Sequence, residues 1–520
     1  MNAESAQKHN TKKAGRAARV LYIVLFLLLC VIPSAGLLFG ADGGAQENAQ
    51  SADLPSVRRE DGTLNTEFLQ QAGDWFQAHF AFRQEYVTAN AMLRAALFQE
   101  SAAERVIMGT DGWLYYRDSL ADYQGTDLLS DRALYDIAHT AAMTQEYCGL
   151  LGIRYLFALA PNKATLYPEH MPYFVRHKAS EQSNRSRLEA FMEAERVSYL
   201  DLAKTLEESA KEESPAITAE AAVGTELAVE ETADVTESAV AAEGVDGTEA
   251  VDAAEAVGGR PNPGALYHKR DSHWTAQGAA IAADAILNRL EIPHRDYAKA
   301  SYTVRKEFDG DLERMLFPAA AALEEDVFYE PAPAYGYTEP VESTFDFYIH
   351  TVSGGAGKSL VMYRDSFGNA ILPFLAEAWE TAFFSRGTPY TLTDLYECEA
   401  SDAVFLRAER FLPEIAAVPP VLEAFPCADE LQEEELSEAE AELTSAPEDA
   451  NPYYSRIEGI LKETPEPGER IYVDPGDGSL YEAMPLHRKD GKEGFLMYLP
   501  QERADQLGSV SSWRVYLSAG

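Results

Sequence analysis

Asp271, Ser272, His273 and Trp274 stand in one short run, and Ser366 follows about ninety residues later inside Val361–Gly368. A serine hydroxyl is a poor nucleophile at neutral pH unless a base takes its proton. His273 is such a base, and an Asp two residues before it can orient the imidazole. Asp271, His273 and Ser366 together have the parts for acyl transfer: attack on a carbonyl, an ester on the serine, then release to a second nucleophile. Each part also has a plainer reading. An Asp-x-His pair can be a capping device, and Ser366 can cap the helix after it. Trp274 can be core packing or a sugar-stacking platform. Lys163 can be a solvated loop charge or a substrate contact.

The elements around these residues read as α/β. Asp131–Leu151 is amphipathic at helical spacing, with Leu134, Ile137, Ala141 and Cys148 on one face. Ile153–Ala160 is an apolar run of strand length, stopped by Pro161, Asn162 and Lys163. Asn184–Glu195 reads as helix and Val197–Leu202 as a short strand. Thr275 can cap a helix that turns Ala279, Ala283, Ile286 and Leu290 to one side. Ser359–Tyr363 is a buried-type strand leading through Arg364, Asp365 and Ser366 into a helix near Gly368–Trp379. Asp402–Leu406 reads as a last strand. Such alternation predicts a parallel sheet covered on both faces, with ligands beyond the carboxyl ends of its strands. Asn162, Lys163 and Ser366 follow strand ends, so the motifs converge on one rim.

The flanks are different. Phe68–Phe98 reads as one helix and Val106–Tyr116 as a β-hairpin. Arg470–Val473, Leu480–Pro485, Phe495–Leu499 and Trp513–Leu517 are strand-length runs separated by turn residues, predicting a small β-rich unit over 452–520. The formal charge is −42. Glu207–Gly259 holds 15 acidic residues and one Lys, and Ala428–Ala450 holds 10 acidic residues and no base. The first is expected as a disordered insertion over 207–259 and the second as an acidic linker over 427–451. This balance excludes a nucleic-acid partner, because a phosphate backbone would be repelled.

Lys8, Lys12, Lys13, Arg16 and Arg19 precede an uncharged apolar run, Val20–Phe39. A run of that length spans a bilayer, and the basic residues before it predict a cytoplasmic tail over 1–19. The expectation is a single-pass anchor over 20–39 in the cell membrane, a linker and the start of a helix over 40–75, and the body outside the cytoplasm. Small residues at Ser34, Ala35 and Gly36 leave a cleaved signal peptide as the alternative. There is no CxxC and no zinc spacing, so no metal or other cofactor is expected. Cys148 is expected as a buried thiol, and a pairing of Cys398 with Cys427 stays open.

The order Asp-x-His then Asp-Ser resembles the SGNH-hydrolase-like domain of the alginate O-acetyltransferase family, most closely its branch named for an Asp-His-His-Trp motif. The resemblance extends over 76–426. It rests on Phe80–Arg83, the Gly-x-Asp-Gly-Trp-Leu of Gly109–Leu114, Ala160–Lys163, Tyr167–Glu169, Tyr267–Trp274, Gly310–Leu312 and Tyr363–Gly368. Two departures stand out: Ser272 occupies the place of the first His, and the acidic insertion precedes the site. The resemblance implies Ser366 as nucleophile, His273 as base and Asp271 as its orienter. The Ser366 N–H would help hold the oxyanion, with Asn162 or Arg364 as candidate further donors. It implies acetyl transfer to a hydroxyl of an extracytoplasmic polysaccharide, with acetyl supplied by a membrane-bound O-acyltransferase. An esterase using the same residues, and a non-catalytic polysaccharide- or wall-binding protein with a decayed site, are the alternatives.

Overall fold

The computed structural model describes residues 19–32, 35–36, 55–59, 62–79, 81–212, 266–427 and 436–518. The chain divides into two units: Met1–Met108 with Asp309–Ala322, and Gly109–Phe308 with Leu323–Gly520.

In the first unit, residues 19–32 and 35–36 are helical, and the apolar side chains from Val20 to Ile32 are exposed. Part of the expected anchor, 33–34 and 37–39, lies outside the described residues. Among the described residues no helix is long and apolar enough to cross a membrane. The single helix expected over Phe68–Phe98 is two, α1 (Phe68–His79) and α2 (Arg83–Phe98). Phe82 separates them at φ 63°, a left-handed conformation that a bulky side chain rarely adopts. A short helix, Asp311–Leu316, belongs to the same unit, where the Ala319 N–H donates to Thr88 Oγ1 at 2.9 Å. The unit ends in strand β1 (Val106–Met108).

The second unit opens with a tight turn into β2 (Leu114–Tyr116), in which the Gly109 N–H donates to Trp113 O at 2.7 Å. Only glycine fits at 109, since a Cβ there would lie 2.4 Å from the His170 carbonyl oxygen. Helix α3 (Asp131–Leu150) starts at Ser130, whose side chain accepts from the Ala133 N–H. It is followed by β3 (Arg154–Ala160), α4 (Asn184–Ala194), β4 (Tyr199–Asp201) and α5 (Leu202–Glu212). Residues 207–212 of the expected insertion complete α5, and its remainder lies outside the described residues. The chain is described again from Leu266. Thr275 caps α6 (Ala276–Arg289) by accepting from the Gly278 N–H. A ribbon of β5 (Ser301–Phe308) and β6 (Glu324–Glu330) follows, then β7 (Tyr335–Tyr337), β8 (Tyr348–Ser353) and β9 (Gly357–Arg364). Next come α7 (Gly368–Ala378), β10 (Trp379–Ser385), β11 (Asp402–Ala408) and α8 (Leu412–Ala417).

The main sheet has the order β4-β3-β11-β9-β10-β8-β7. Its first five strands are parallel; at one edge β8 runs antiparallel to β10, and β7 runs antiparallel to β8. Strand β3 alternates cleanly. Leu156, Ala158 and Ala160 join the core under α5, α6 and α7, while Tyr155, Phe157 and Leu159 join the core under α3, α4 and α8. Cys148 is fully buried there, and burial pushes its thiol up to about 12. Cys398 and Cys427 are both free thiols.

The C-terminal strands are β12 (Leu436–Ala439), β13 (Ala441–Pro447), β14 (Tyr454–Leu461), β15 (Arg470–Asp474), β16 (Tyr481–His487), β17 (Glu493–Pro500) and β18 (Arg514–Ser518). They form an antiparallel sheet in the order β12-β18-β15-β16-β17-β14-β13. Its two edge strands are consecutive in the chain, joined at Glu440, so the sheet curls into a half-barrel around Ile457, Ile471, Phe495, Met497 and Trp513. This corrects the expected linker over 427–451, since 436–439 and 441–447 are strand. The apolar residues Leu436, Ala439, Ala441 and Leu443 are partly buried, while Glu438 and Glu442 face water and keep these edges from pairing with other chains. The half-barrel also shares a core with the α/β layers: Tyr454, Met484, Leu486, Leu496 and Tyr498 pack with residues of α3, β3 and β11.

Candidate active site

The parallel strands end on one rim. Ala160 of β3 is level with Ala408 of β11, and Leu406 of β11 with Arg364 of β9. Pro161, Asn162 and Lys163 leave β3 there, Glu409 leaves β11, and Asp365 and Ser366 leave β9. Asp365 shapes the last turn. Its Oδ1 accepts the Phe367 N–H at 2.8 Å and its Oδ2 the Ala408 N–H at 2.7 Å, which ties the turn to the neighbouring strand end. Ser366 is thereby held between a strand and α7, half-buried, with its side chain off the sheet.

The Asp271–His273 segment meets it from the loop before α6. His273 Nε2 lies 2.8 Å from Ser366 Oγ, and His273 Nδ1 lies 2.7 Å from Asp271 Oδ1. The same Asp271 oxygen also accepts the His273 backbone N–H at 2.7 Å. An ionised carboxylate only accepts, so Nδ1 carries the proton and the Nε2 lone pair faces the serine hydroxyl. This is the arrangement in which an imidazole acts as general base toward a serine. The Asp271 side chain is 6% exposed and that of His273 is 18% exposed, so the orienting acid is buried while the base is reached from solvent. Ser272 Oγ stands 3.3 Å from His273 Nδ1. The two halves of the site are also tied to each other, because Trp274 Nε1 donates to the Phe367 carbonyl at 3.1 Å and the His273 ring packs on Phe367.

The other residues singled out in the sequence gather around this triad without pointing into it. Trp274 is 1% exposed. Arg364 is 1% exposed and donates to Asn369 Oδ1, Thr344 O and Asp346 O, bracing the turn that carries Ser366. Burial and the nearby Arg386 lower its guanidinium to about 10. Asn162 donates through Nδ2 to Asp122 at 3.2 Å and accepts at Oδ1 from Arg410 at 3.0 Å. Lys163 donates to the carbonyls of His268, Lys269 and Asp271.

Three groups at the site carried no sequence motif. Glu409, buried just past β11, accepts the Asn162 N–H at 2.7 Å and Arg185 Nε at 2.9 Å. Arg185 also reaches Asp201 at the end of β4, so one cation joins the ends of β4 and β11, and Glu409 extends the link to β3. Burial and the Glu409 charge push Asp122 up, and burial raises Glu409 in turn. Glu324 and Asp326 of β6 form the third feature. Glu324 accepts the Lys269 and Arg270 N–H groups at 3.1 and 2.8 Å, and Asp326 accepts the Ala276 N–H at 3.0 Å. A carboxylate placed directly after a buried strand, as Glu409 is, was the one visible cue. The acids of β6 resemble any exposed acidic run.

Residues 106–218 match a family model, the SGNH hydrolase-like domain of the acetyltransferase AlgX. Over this segment the chain is similar to that family. The segment holds β1 to β4, Asn162 and Lys163; the triad lies beyond it. A comparison with curated proteins finds no significant match. Solved structures similar to the chain include a DHHW family protein from Eubacterium siraeum, at 14% identity and TM-score 0.35, covering 59% of this chain and 94% of that one. The O-acetyltransferase domain of Pseudomonas putida AlgJ matches at 14% identity and TM-score 0.33, covering 59% and 92%. Bacillus cereus PatB1, in a structure with a sulfonyl adduct, matches at 12% identity and TM-score 0.38, covering 59% and 95%. Likenesses at this level transfer neither a residue's role nor an activity.

Proposed function

We propose that the chain is a serine-dependent O-acetyltransferase that moves an acetyl group through an ester on Ser366 to a hydroxyl of an extracytoplasmic polysaccharide. The observation that carries this reading is the unbroken hydrogen-bonded line from Asp271 through His273 to Ser366. The match of 106–218 to an acetyltransferase domain supports the choice of acyl group.

In the first half-reaction His273 Nε2 takes the Ser366 proton as Oγ attacks the donor's acetyl carbonyl. The oxyanion forms beside the Ser366 N–H, at the entry to α7, and collapses with loss of the donor's leaving group, which takes the proton from His273. In the second, His273 deprotonates the sugar hydroxyl, which attacks the acyl-enzyme and restores the serine. Asp271 holds the imidazole and balances its charge in both. The basic residues ahead of the uncharged run 20–39 would place the chain at the cell membrane, and a membrane-bound O-acyltransferase would supply the acetyl group at that surface.

The test is incubation with an aryl acetate, with and without oligosaccharide, followed by mass analysis. Acetylated sugar supports transfer. Free acetate alone, with sugar present, makes the protein an esterase. Neither product, from a folded protein, refutes the triad reading.

A further inference from the structure

The loop that carries the acid and the base, residues 268–276, has no helix or strand of its own over the Asp271–His273 stretch. Its backbone is nevertheless gripped from two sides. On one side the carbonyl oxygens of His268, Lys269 and Asp271 converge on a single atom, Lys163 Nζ, at 3.0, 3.0 and 2.5 Å. An ammonium has three protons and donates all three here. Lys163 is 4% exposed, and its ammonium lies 5.7 Å from the Trp113 ring and 5.3 Å from the Tyr115 ring. On the other side Glu324 and Asp326 accept the amides of Lys269, Arg270 and Ala276.

Burying an ammonium is costly unless each proton finds an acceptor. The loop supplies those acceptors, and Lys163 sits one turn past the end of β3, so its position is set by the sheet. A planar guanidinium does not reproduce three donors converging from one point, and an uncharged chain removes the one donor that ties the three carbonyls together, with Lys269 O keeping the Leu114 N–H at 2.8 Å.

We propose that Lys163 is a positioning residue, holding the Asp271–His273 loop at the distance from Ser366 that proton transfer needs. The functional half of this rests on the acyl-transfer reading; the structural half stands without it.

The test uses the full chain and the variants Lys163→Met and Lys163→Arg. Each is checked for folding by thermal melting. The far-downfield imidazole Nδ1 proton of His273 is followed by proton NMR and assigned through its loss in His273→Gln. Labelling of Ser366 by phenylmethylsulfonyl fluoride, and kcat and KM on an aryl acetate, complete the set. Lys163→Met is expected to lose the downfield proton and to lower labelling and kcat by about 10²-fold, the scale of a 1 Å misplacement. KM should stay within about twofold, because ground-state binding is not touched. Lys163→Arg should recover part of each. A folded Lys163→Met with the downfield proton and labelling rate of the parent overturns the proposal. So does a rise in KM alone, which would make Lys163 a substrate contact. Where Lys163→Met does not fold, Lys163→Arg decides: parent-like labelling and NMR overturn the proposal, and a slowed, folded variant supports it. A parent chain that neither labels nor hydrolyses refutes the acyl-transfer reading, while the imidazole proton still decides the positioning.

Discussion

The active-site loop and the seam between α3 and the half-barrel both bury charge, and they satisfy it differently. In the loop, Lys163 is paired with peptide carbonyls, and Glu324 and Asp326 hold backbone amides while also facing the His268 ring, at 3.9 and 3.4 Å. At the seam the partners are other ionisable side chains. Arg132, Tyr135, Asp136 and His139 share one face of α3, at i, i+3, i+4 and i+7. His139 Nδ1 meets Glu195 at 2.9 Å and Nε2 meets Glu482 of β16 at 3.0 Å. Arg132 donates to the carbonyls of Glu466 and Glu469 and pairs with the buried Asp136 at 2.8 Å. Burial lowers His139, but hydrogen bonds to Glu195 and Glu482 outweigh it and the net direction is up. Burial raises Asp136 to about 7 against the pull of Arg132. The seam's grip therefore changes with pH across the neutral range.

The largest expected effect lies at the site. Ser366→Ala should reduce turnover of an acetyl ester by about 10³-fold or more, with the melting temperature unchanged. His273→Ala should do the same, and the double variant should lose little more. Additive losses in steady-state kinetics would break the triad apart. Asp271→Asn should lower kcat by about 10² to 10⁴-fold with KM similar, since it disturbs the imidazole's tautomer and leaves the nucleophile in place.

At the seam the readout moves from rate to stability. His139→Ala leaves two part-buried carboxylates without their shared donor and should cost about 2 to 3 kcal/mol in urea melts. A cost below about 0.5 kcal/mol would mean that the apolar contacts alone dock the half-barrel. The pH dependence should have a definite sign. The folded value of His139 is above its ordinary one, so its contribution is complete below about 6.5 and is lost as pH rises through the raised value. Asp136 holds its proton in the fold up to about 7, so stability also falls from about pH 4 to 7 on its account. Glu195, kept low by its hydrogen bond to His139, works the other way, but only as pH falls below its ordinary range. The melting temperature should drop by about 5 °C between pH 6 and 9, and His139→Gln should flatten that slope. A rising curve would contradict the comparison. The smallest effect is expected at Ser272, which touches His273 but carries neither grip. Ser272→His should keep turnover within about threefold.

The sequence was legible wherever chemistry and periodicity coincide. The strand ending at Ala160, the strands expected over Ser359–Tyr363 and Asp402–Leu406, the Thr275 cap and the meeting of Asp271, His273 and Ser366 are all readable from apolar runs and from residue types beside them. The partners of the loop were not. Lys163 looks the same in a sequence whether it faces water or three carbonyls, because its acceptors are peptide groups with no identity. Arg364 and Asn162 sit next to the chemistry, yet their side chains turn down into the scaffold. The strands β12 and β13 were hidden by composition. Their acids mark an exposed face rather than a linker, and a period of two over so few residues is easily lost in a charge run. The break before α2 depends on one backbone angle at Phe82, which helical propensity does not encode.

The order of the main sheet has one more consequence. Strands β3 and β4 come from the chain before residue 213, and β3 pairs with β11, which comes from the chain after residue 265. Helices α5 and α6, on either side of that interval, pack in one core. The two stretches are thus held together by hydrogen bonds and apolar contact between their described residues. The chain is therefore a natural candidate for fragment complementation: expressed as two polypeptides divided within 213–265, it should reassemble, with Lys163 on one piece and the Asp271–Ser366 pair on the other, so that recovery of the site would itself report the reunion.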